Sequence, residues 1–232
     1  MSEPSLVVRR DDRVVHGRLP PARLAEARRV LEAAGFVLLP SDTAYSVATW
    51  LRAGQTRDQV NRLLERDNEP ISLAFPSVDA VQKWTLENTV ADRLLACFTP
   101  GPITVVRAVS HDIPDEFTSM MMGSQNRTVG VRIPDSAEER QVAGVAASPV
   151  TTVPVRYVKA EKKPAVRSFD DALEYVRARA AEFGGAPWCA IEGTIRHERT
   201  STVVEVYEDG NYQILRPGPI SIQQIRDCLG GR

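Results

Sequence analysis

Short apolar runs alternate along this chain with segments whose apolar residues return every three or four positions. The run Val37-Leu38-Leu39, ending at Pro40, predicts a buried strand, because proline cannot donate to a central ladder. Similar runs predict strands at Ile71–Phe75, Ile103–Val109, Thr128–Ile133, Trp188–Ile191, Thr202–Tyr207 and Tyr212–Leu215. Asp209-Gly210 predicts a hairpin turn between the last two. Helical spacing of Leu24, Ala27, Val30 and Leu31 predicts a helix from Pro20-Pro21 to about Ala34, with Gly35 as its C-cap. Further helices are predicted at 57–65, from Ser77 to about Trp84, from Asn88 to Phe98, over 136–146, from Phe169 to Phe183 and over 221–229. Pro149–Val158 reads as β-rich despite Pro154, Val14-Val15 as an edge strand, and 110–127 as a loop around Met120-Met121-Met122.

Strands and helices therefore intermingle without the strict alternation of a doubly wound fold. The expected class is α/β: a single domain with a twisted mixed sheet flanked by helices. The chain's 232 residues suffice for one sizeable core. Apolar (43%) and charged (25%) fractions are those of a globular protein. No apolar run reaches the ~20 residues needed to cross a bilayer. Met1-Ser2-Glu3-Pro4 lacks a signal pattern, so a cytoplasmic location is expected. A net charge of −1 argues against a protein that chiefly coats nucleic acid. Cys97, Cys189 and Cys228 are widely spaced and read as three reduced thiols, with no zinc site.

Candidate chemistry concentrates after the first buried strand. Ser41, Asp42, Thr43 and Tyr45 follow Pro40 within five residues, and polar groups at the mouth of a buried strand are where sites are built. Asp42 reads either as a magnesium-associated carboxylate or as a buried acceptor that satisfies backbone N–H groups in a turn. His16, His111 and His197 stand in polar contexts without a nucleophile elbow, so a Ser–His–Asp hydrolase is not supported.

Four motifs occur in order: Pro40-Ser41-Asp42-Thr43-Ala44-Tyr45, Thr99-Pro100-Gly101-Pro102-Ile103-Thr104, Val129-Gly130-Val131-Arg132-Ile133-Pro134, and Ser201-Thr202-Val203-Val204 with Leu215-Arg216-Pro217-Gly218. Together they resemble the YrdC/YciO family, the threonylcarbamoyl-adenylate synthases and their relatives. The resemblance covers residues 20–225, leaving 1–19 as an N-terminal extension, and implies a YrdC-like (DHBP-synthase-like) architecture. It implies joining L-threonine, bicarbonate or CO2 and ATP with Mg²⁺ into threonylcarbamoyl-AMP and pyrophosphate, for tRNA modification, with RNA as a further contact. Thr43, Tyr45, Asp42, Arg132 and Thr152 would then serve the amino-acid side, and Arg66, Thr104, Ser201 and Arg216 the nucleotide. In isolation Thr104 would be an ordinary strand former and Arg132 a surface ion-pair partner.

The chain departs from the family pattern at three places. The lysine of a basic pair after the second helix is replaced by Leu64, with Glu65 and Asp67 flanking Arg66. Val153 and Val155 replace a serine and an asparagine beside Thr152, and Ser46 replaces a glycine after Tyr45. Arg107, Arg156, Lys159, Lys162, Lys163 and Arg216 are cations available to compensate. Two expectations follow: a carbamoyl-adenylate synthase, or a YciO-like paralogue that binds nucleotide or RNA, or runs another carbamoyl-adenylate reaction, without that activity.

Overall fold

The computed structural model describes residues 3–8, 18–51, 55–67, 69–114, 127–145, 148–157 and 164–231. Its first long strand, β2 (Phe36–Pro40), is buried on both faces, which is why its sequence is continuously apolar. Phe36 and Leu38 point into one core cluster, and Val37 and Leu39 into another, as the two-residue period of a strand requires. Strand β2 lies between β3 (Tyr45–Ala48), antiparallel to it, and β9 (Trp188–Ile191), parallel to it. Strand β1 (Leu6–Val8) closes this five-stranded sheet beyond β9, and β8 (Val153–Pro154) closes it beyond β3.

A second sheet has the order β11 (Tyr212–Arg216), β10 (Thr202–Val206), β5 (Ile103–Ala108), β6 (Thr128–Arg132), β4 (Ser72–Ala74) and β7 (Val150–Thr151). The mixed α/β class expected from the sequence stands, with its strands divided between two sheets. The β-rich stretch around residue 150 is the crossing point. Residues 150–151 pair with β4, and 153–154 pair with β3. Pro154 is accommodated because β8 is an edge strand.

Helices cover both sheets: α1 (Pro21–Glu32), α2 (Thr56–Leu63), α3 (Val78–Gln82), α4 (Thr89–Phe98), α5 (Ala137–Val145), α6 (Phe169–Arg179) and α7 (Ile222–Cys228). Helix α6 tightens into a 3₁₀ turn over Ala180–Phe183, where one longer helix was expected. Helix α1 stops earlier than expected, and its left-handed residue is Ala34 (φ 62°) rather than Gly35. Gly35 is needed for a different reason: a Cβ there would stand 2.0 Å from the Pro187 carbonyl oxygen. The edge strand expected at Val14-Val15, the Met120–Met122 loop and the lysine-rich loop 159–163 lie outside the described residues.

The cysteine reading needs correction. Helices α4 and α7 pack together, and Cys97 and Cys228, 131 residues apart in sequence, are joined as a disulfide. Only Cys189 is a free thiol among the described residues, and it is buried. Sequence spacing could not reveal a pair made by two helices so far apart along the chain.

Candidate functional site

The four sequence motifs are knit into one unit by hydrogen bonds. Arg132 Nη2 donates to Asp42 Oδ1 (2.5 Å), joining the third motif to the first. Gly101 N–H donates to the Ile133 carbonyl (2.9 Å), joining the second to the third, and Thr202 N–H donates to the Pro102 carbonyl (2.9 Å), joining the fourth to the second. Within the fourth, Arg216 donates to Ser201 O (2.9 Å) and Ser201 Oγ (3.0 Å). Gly218 lies so close to this strand entry that a Cβ would stand 2.3 Å from Thr202 N, so the Pro217-Gly218 turn requires its glycine.

This unit surrounds a cavity of about 240 Å³ between the two sheets. Alternation along the strands of the second sheet decides which side chains reach it. Ile103, Val105, Val129, Val131 and Val204 turn into the apolar core. Thr104, Val106, Gly130, Arg132 and Val203 turn the other way and line the cavity. The β2–β3 turn supplies Thr43, the crossing strand supplies Thr152, Val153 and Pro154, and the α2–β4 connection supplies Arg66, Glu69 and Pro70. Arg156, Ser201 and Arg216 complete the rim.

Four arginines thus meet one lining carboxylate, that of Glu69. Arg66 is fixed by Glu69 Oε2 (3.0 Å), the Pro70 carbonyl (2.8 Å) and Asn61 Oδ1 (3.2 Å). Burial pushes its pKa below the ordinary guanidinium value, and the Glu69 carboxylate pulls it back. Arg156 stands 3.9 Å from the same carboxylate. Burial, then Arg156 and Arg132, bring Arg216 down to about 10. Crowded, partly desolvated guanidinium groups of this kind favour an anion that would neutralise them. Beside them, the hydroxyls of Thr104 and Ser201 are hydrogen-bonded at 2.8 Å.

Seven of the nine residues expected at the site line this one cavity: Thr43, Arg66, Thr104, Arg132, Thr152, Ser201 and Arg216. Asp42 and Tyr45 stand behind it. Asp42 is fully buried; its Oδ1 holds Arg132 and its Oδ2 accepts from the Asp135 N–H (3.2 Å). The structure therefore favours the buried acceptor over a magnesium-associated carboxylate. Arg132, expected to meet a carboxylate or phosphate, already meets the Asp42 carboxylate. The Tyr45 hydroxyl bridges the Gly193 carbonyl (2.9 Å) and N–H (3.1 Å), and its ring packs against Phe169.

The departures also take on a different meaning. Leu64 is buried in the core cluster around α6, so the residue at the missing lysine's position does not face the cavity. Glu65 is taken up by Arg179 (2.6 Å) and is not among the lining residues. Both valines belong to one core cluster, and Val153 also lines the cavity, whereas Val155 does not. Of the compensating cations, Arg156 and Arg216 reach the site; Arg107 turns away to Asp92 (2.7 Å). Sequence reasoning missed Glu69 and Glu139. Glu139 is fully buried behind Arg132 and Thr152. Its signal was present: 139, 142 and 143 form the inward stripe of α5, so a carboxylate was being placed inside.

The Sua5/YciO/YrdC family profile, described as telomere recombination, matches residues 29–218, which contain all four motifs. The chain belongs to this family. A Methanocaldococcus jannaschii relative assigned as a threonylcarbamoyl-AMP synthase is 25% identical over 194 residues, 83% of this chain and 84% of its own length. The fold matches P. abyssi Sua5, solved with L-threonine, at TM-score 0.72 and 20% identity, over 97% of this chain but only 61% of the P. abyssi chain. It matches E. coli YciO at TM-score 0.75 and 14% identity, over 97% of this chain and all of that one. Among the described residues no helix is long and apolar enough to cross a membrane.

Proposed function

We propose that this Sua5/YciO/YrdC-family chain forms a carbamoyl-adenylate: threonylcarbamoyl-AMP and pyrophosphate from L-threonine, bicarbonate or CO2, and ATP, for tRNA modification. The observation that carries the reading is the convergence of Arg66, Arg132, Arg156 and Arg216 on one cavity with Thr43, Thr104, Thr152 and Ser201. Arginine forks suit phosphate and carboxylate oxygens, and the hydroxyls suit a ribose or a carbamate. In such a reaction a carbamate oxygen attacks the α-phosphorus, the bond from that phosphorus to the bridging oxygen breaks, and pyrophosphate leaves with the electron pair. The demands on the protein are positioning and charge neutralisation, with Mg²⁺ arriving as part of the nucleotide substrate. The synthase assignment of the archaeal relative supports the same substrates.

A second reading is a YciO-like paralogue that binds nucleotide or RNA without this turnover. It is favoured by Val153, an apolar residue in the cavity wall where the family pattern places a serine. The two separate in one assay. Pyrophosphate release from ATP is measured with Mg²⁺ and bicarbonate, with and without L-threonine and other amino acids. Threonine-stimulated release supports the synthase. Binding of ATP, seen as a raised melting temperature, without release for any amino acid supports the paralogue. Folded protein with no release and no ATP- or RNA-induced change in melting temperature removes both.

A further inference from the structure

Glu139 is a buried carboxyl that the chemistry above does not use. Ser136 Oγ accepts its N–H (3.2 Å), and the same hydroxyl donates to the Pro40 carbonyl (2.6 Å), so the start of α5 is pinned to the end of β2. This places the Glu139 side chain behind the cavity wall, beside Arg132, Ser41, Thr152 and Asp42. Three groups there are short of partners. Neither oxygen of Glu139, nor Thr152 Oγ1, nor Arg132 Nε closes a hydrogen bond, although all are buried. Buried polar groups in that condition are costly unless a small adjustment or a ligand satisfies them.

The charges around Glu139 decide its form. Arg132 is the facing cation, and Asp42 already neutralises it. The nearby Ser41 and Thr152 hydroxyls, like Arg132, favour the ionised form, and Asp42 opposes it. On its own helix, Arg140 turns to the Pro134 carbonyl and Asp135, and Glu138 turns to Ser136. An ionised Glu139 would therefore be a second carboxylate on one guanidinium, in a fully buried place. Burial pushes its pKa above the usual carboxylate range, with Arg132 pulling the other way. A neutral carboxyl can still accept from Arg132 Nε and can donate to or accept from the Thr152 hydroxyl, so it can satisfy both without adding a buried charge.

We propose that Glu139 is a positioning residue of this cavity and works as a neutral carboxyl: it anchors Thr152 and Arg132 from behind the cavity wall and keeps that place free of excess negative charge, so that an anionic ligand is accepted. The proposal rests on the nucleotide reading given above, and ATP is the probe. Its test uses Glu139→Gln, which keeps shape, neutrality and a donor, and Glu139→Met, which keeps length but removes both polar atoms. Glu139→Gln is expected to hold ATP affinity within about twofold at neutral pH. Glu139→Met is expected to weaken it roughly tenfold, the scale of one or two buried hydrogen bonds. Infrared spectra at neutral pH are expected to show a protonated-carboxyl carbonyl band that Glu139→Gln lacks. Wild-type affinity in a folded Glu139→Met, or an identical carboxyl band in wild type and Glu139→Gln, would overturn the proposal. Should Glu139→Met not fold, Glu139→Gln and the infrared band decide. Folded wild type that binds no ATP overturns the nucleotide reading itself, and the proposal with it.

Discussion

Arg132 of β6 donates to Asp42 of the β2–β3 turn with both side chains almost wholly removed from solvent. The pair ties one sheet to the other directly behind the cavity. Two buried charges are costly to desolvate, and their attraction repays this only while both are present. Asp42→Ala leaves the Arg132 charge uncompensated and is expected to cost about 3–5 kcal/mol. Replacing both partners, as Asp42→Ala with Arg132→Met, is expected to recover much of that loss while abolishing ligand binding. Urea unfolding of the single and double variants checks the first part, and ATP-induced melting shifts check the second. If the double variant is no more stable than Asp42→Ala, the pair does not bear the burden assigned to it.

Val155 stands where the family pattern has an asparagine, yet restoring that residue is expected to damage the protein. Its side chain lies fully buried in the cluster with Phe169, Leu173 and Val176. An amide there would lose its water without gaining a partner. Val155→Asn is expected to destabilise by about 1–3 kcal/mol and to bring no gain in nucleotide binding. Val153 differs because it faces the cavity. Its side chain is also buried in the same cluster, so Val153→Ser is expected to destabilise by about 1 kcal/mol, less than Val155→Asn because its hydroxyl can reach the cavity. Paired denaturation curves test the contrast between these neighbouring valines.

These valines show where sequence reasoning stopped. The strands and helices were legible because their apolar periods are strong. The cavity's residue set was legible because the four motifs carry it. Which face a motif position turns to was not legible from the motifs alone. Leu64 looked like a lost phosphate ligand and is core, whereas Arg132 looked free to meet a ligand and is held by Asp42. The Arg132 outcome depends on a partner 90 residues away that no local period encodes, whereas Leu64 lies one helical turn after Val60 in the same core cluster, as the inward spacing of Val60, Leu63 and Leu64 requires. Glu139 was a further such case: its place on the inward stripe of α5 was readable and was passed over. The division into two sheets hinges on Thr152, where a continuous β-rich run changes partners.

The disulfide between Cys97 and Cys228 fastens the last helix to α4. Closing a long loop restricts the unfolded chain, so its loss is expected to cost about 2–4 kcal/mol. Cys228→Ser, or wild type in reductant, should melt at a lower temperature than untreated protein. Thiol counting gives an independent check. Burial, then the nearby Glu26, push the Cys189 thiol up to about 12, so native oxidised protein should show no reactive thiol and denatured oxidised protein should show one. Three thiols in denatured, unreduced protein would contradict the bond.

Glu26 offers a test of stability against pH. It sits on α1, where its carboxylate accepts from Arg29 (2.7 Å) and from Ser5 at the start of the chain (2.8 Å). The Arg29 hydrogen bond, then that of Ser5, bring its pKa down from 4.5 to about 2. A carboxyl whose folded pKa is depressed stabilises the fold above its unfolded value. That contribution is present above pH 4.5 and is lost as pH falls toward about 2. Solvent reaches this surface group, so the contribution is expected to stay below about 1 kcal/mol. Glu26→Gln should therefore be slightly less stable than wild type at neutral pH, with the difference closing through that acid range. Salt should shrink the gap as well, because the partners are exposed to screening. A difference that persists unchanged at pH 2, measured by urea unfolding at each pH, would mean that packing rather than charge holds this contact.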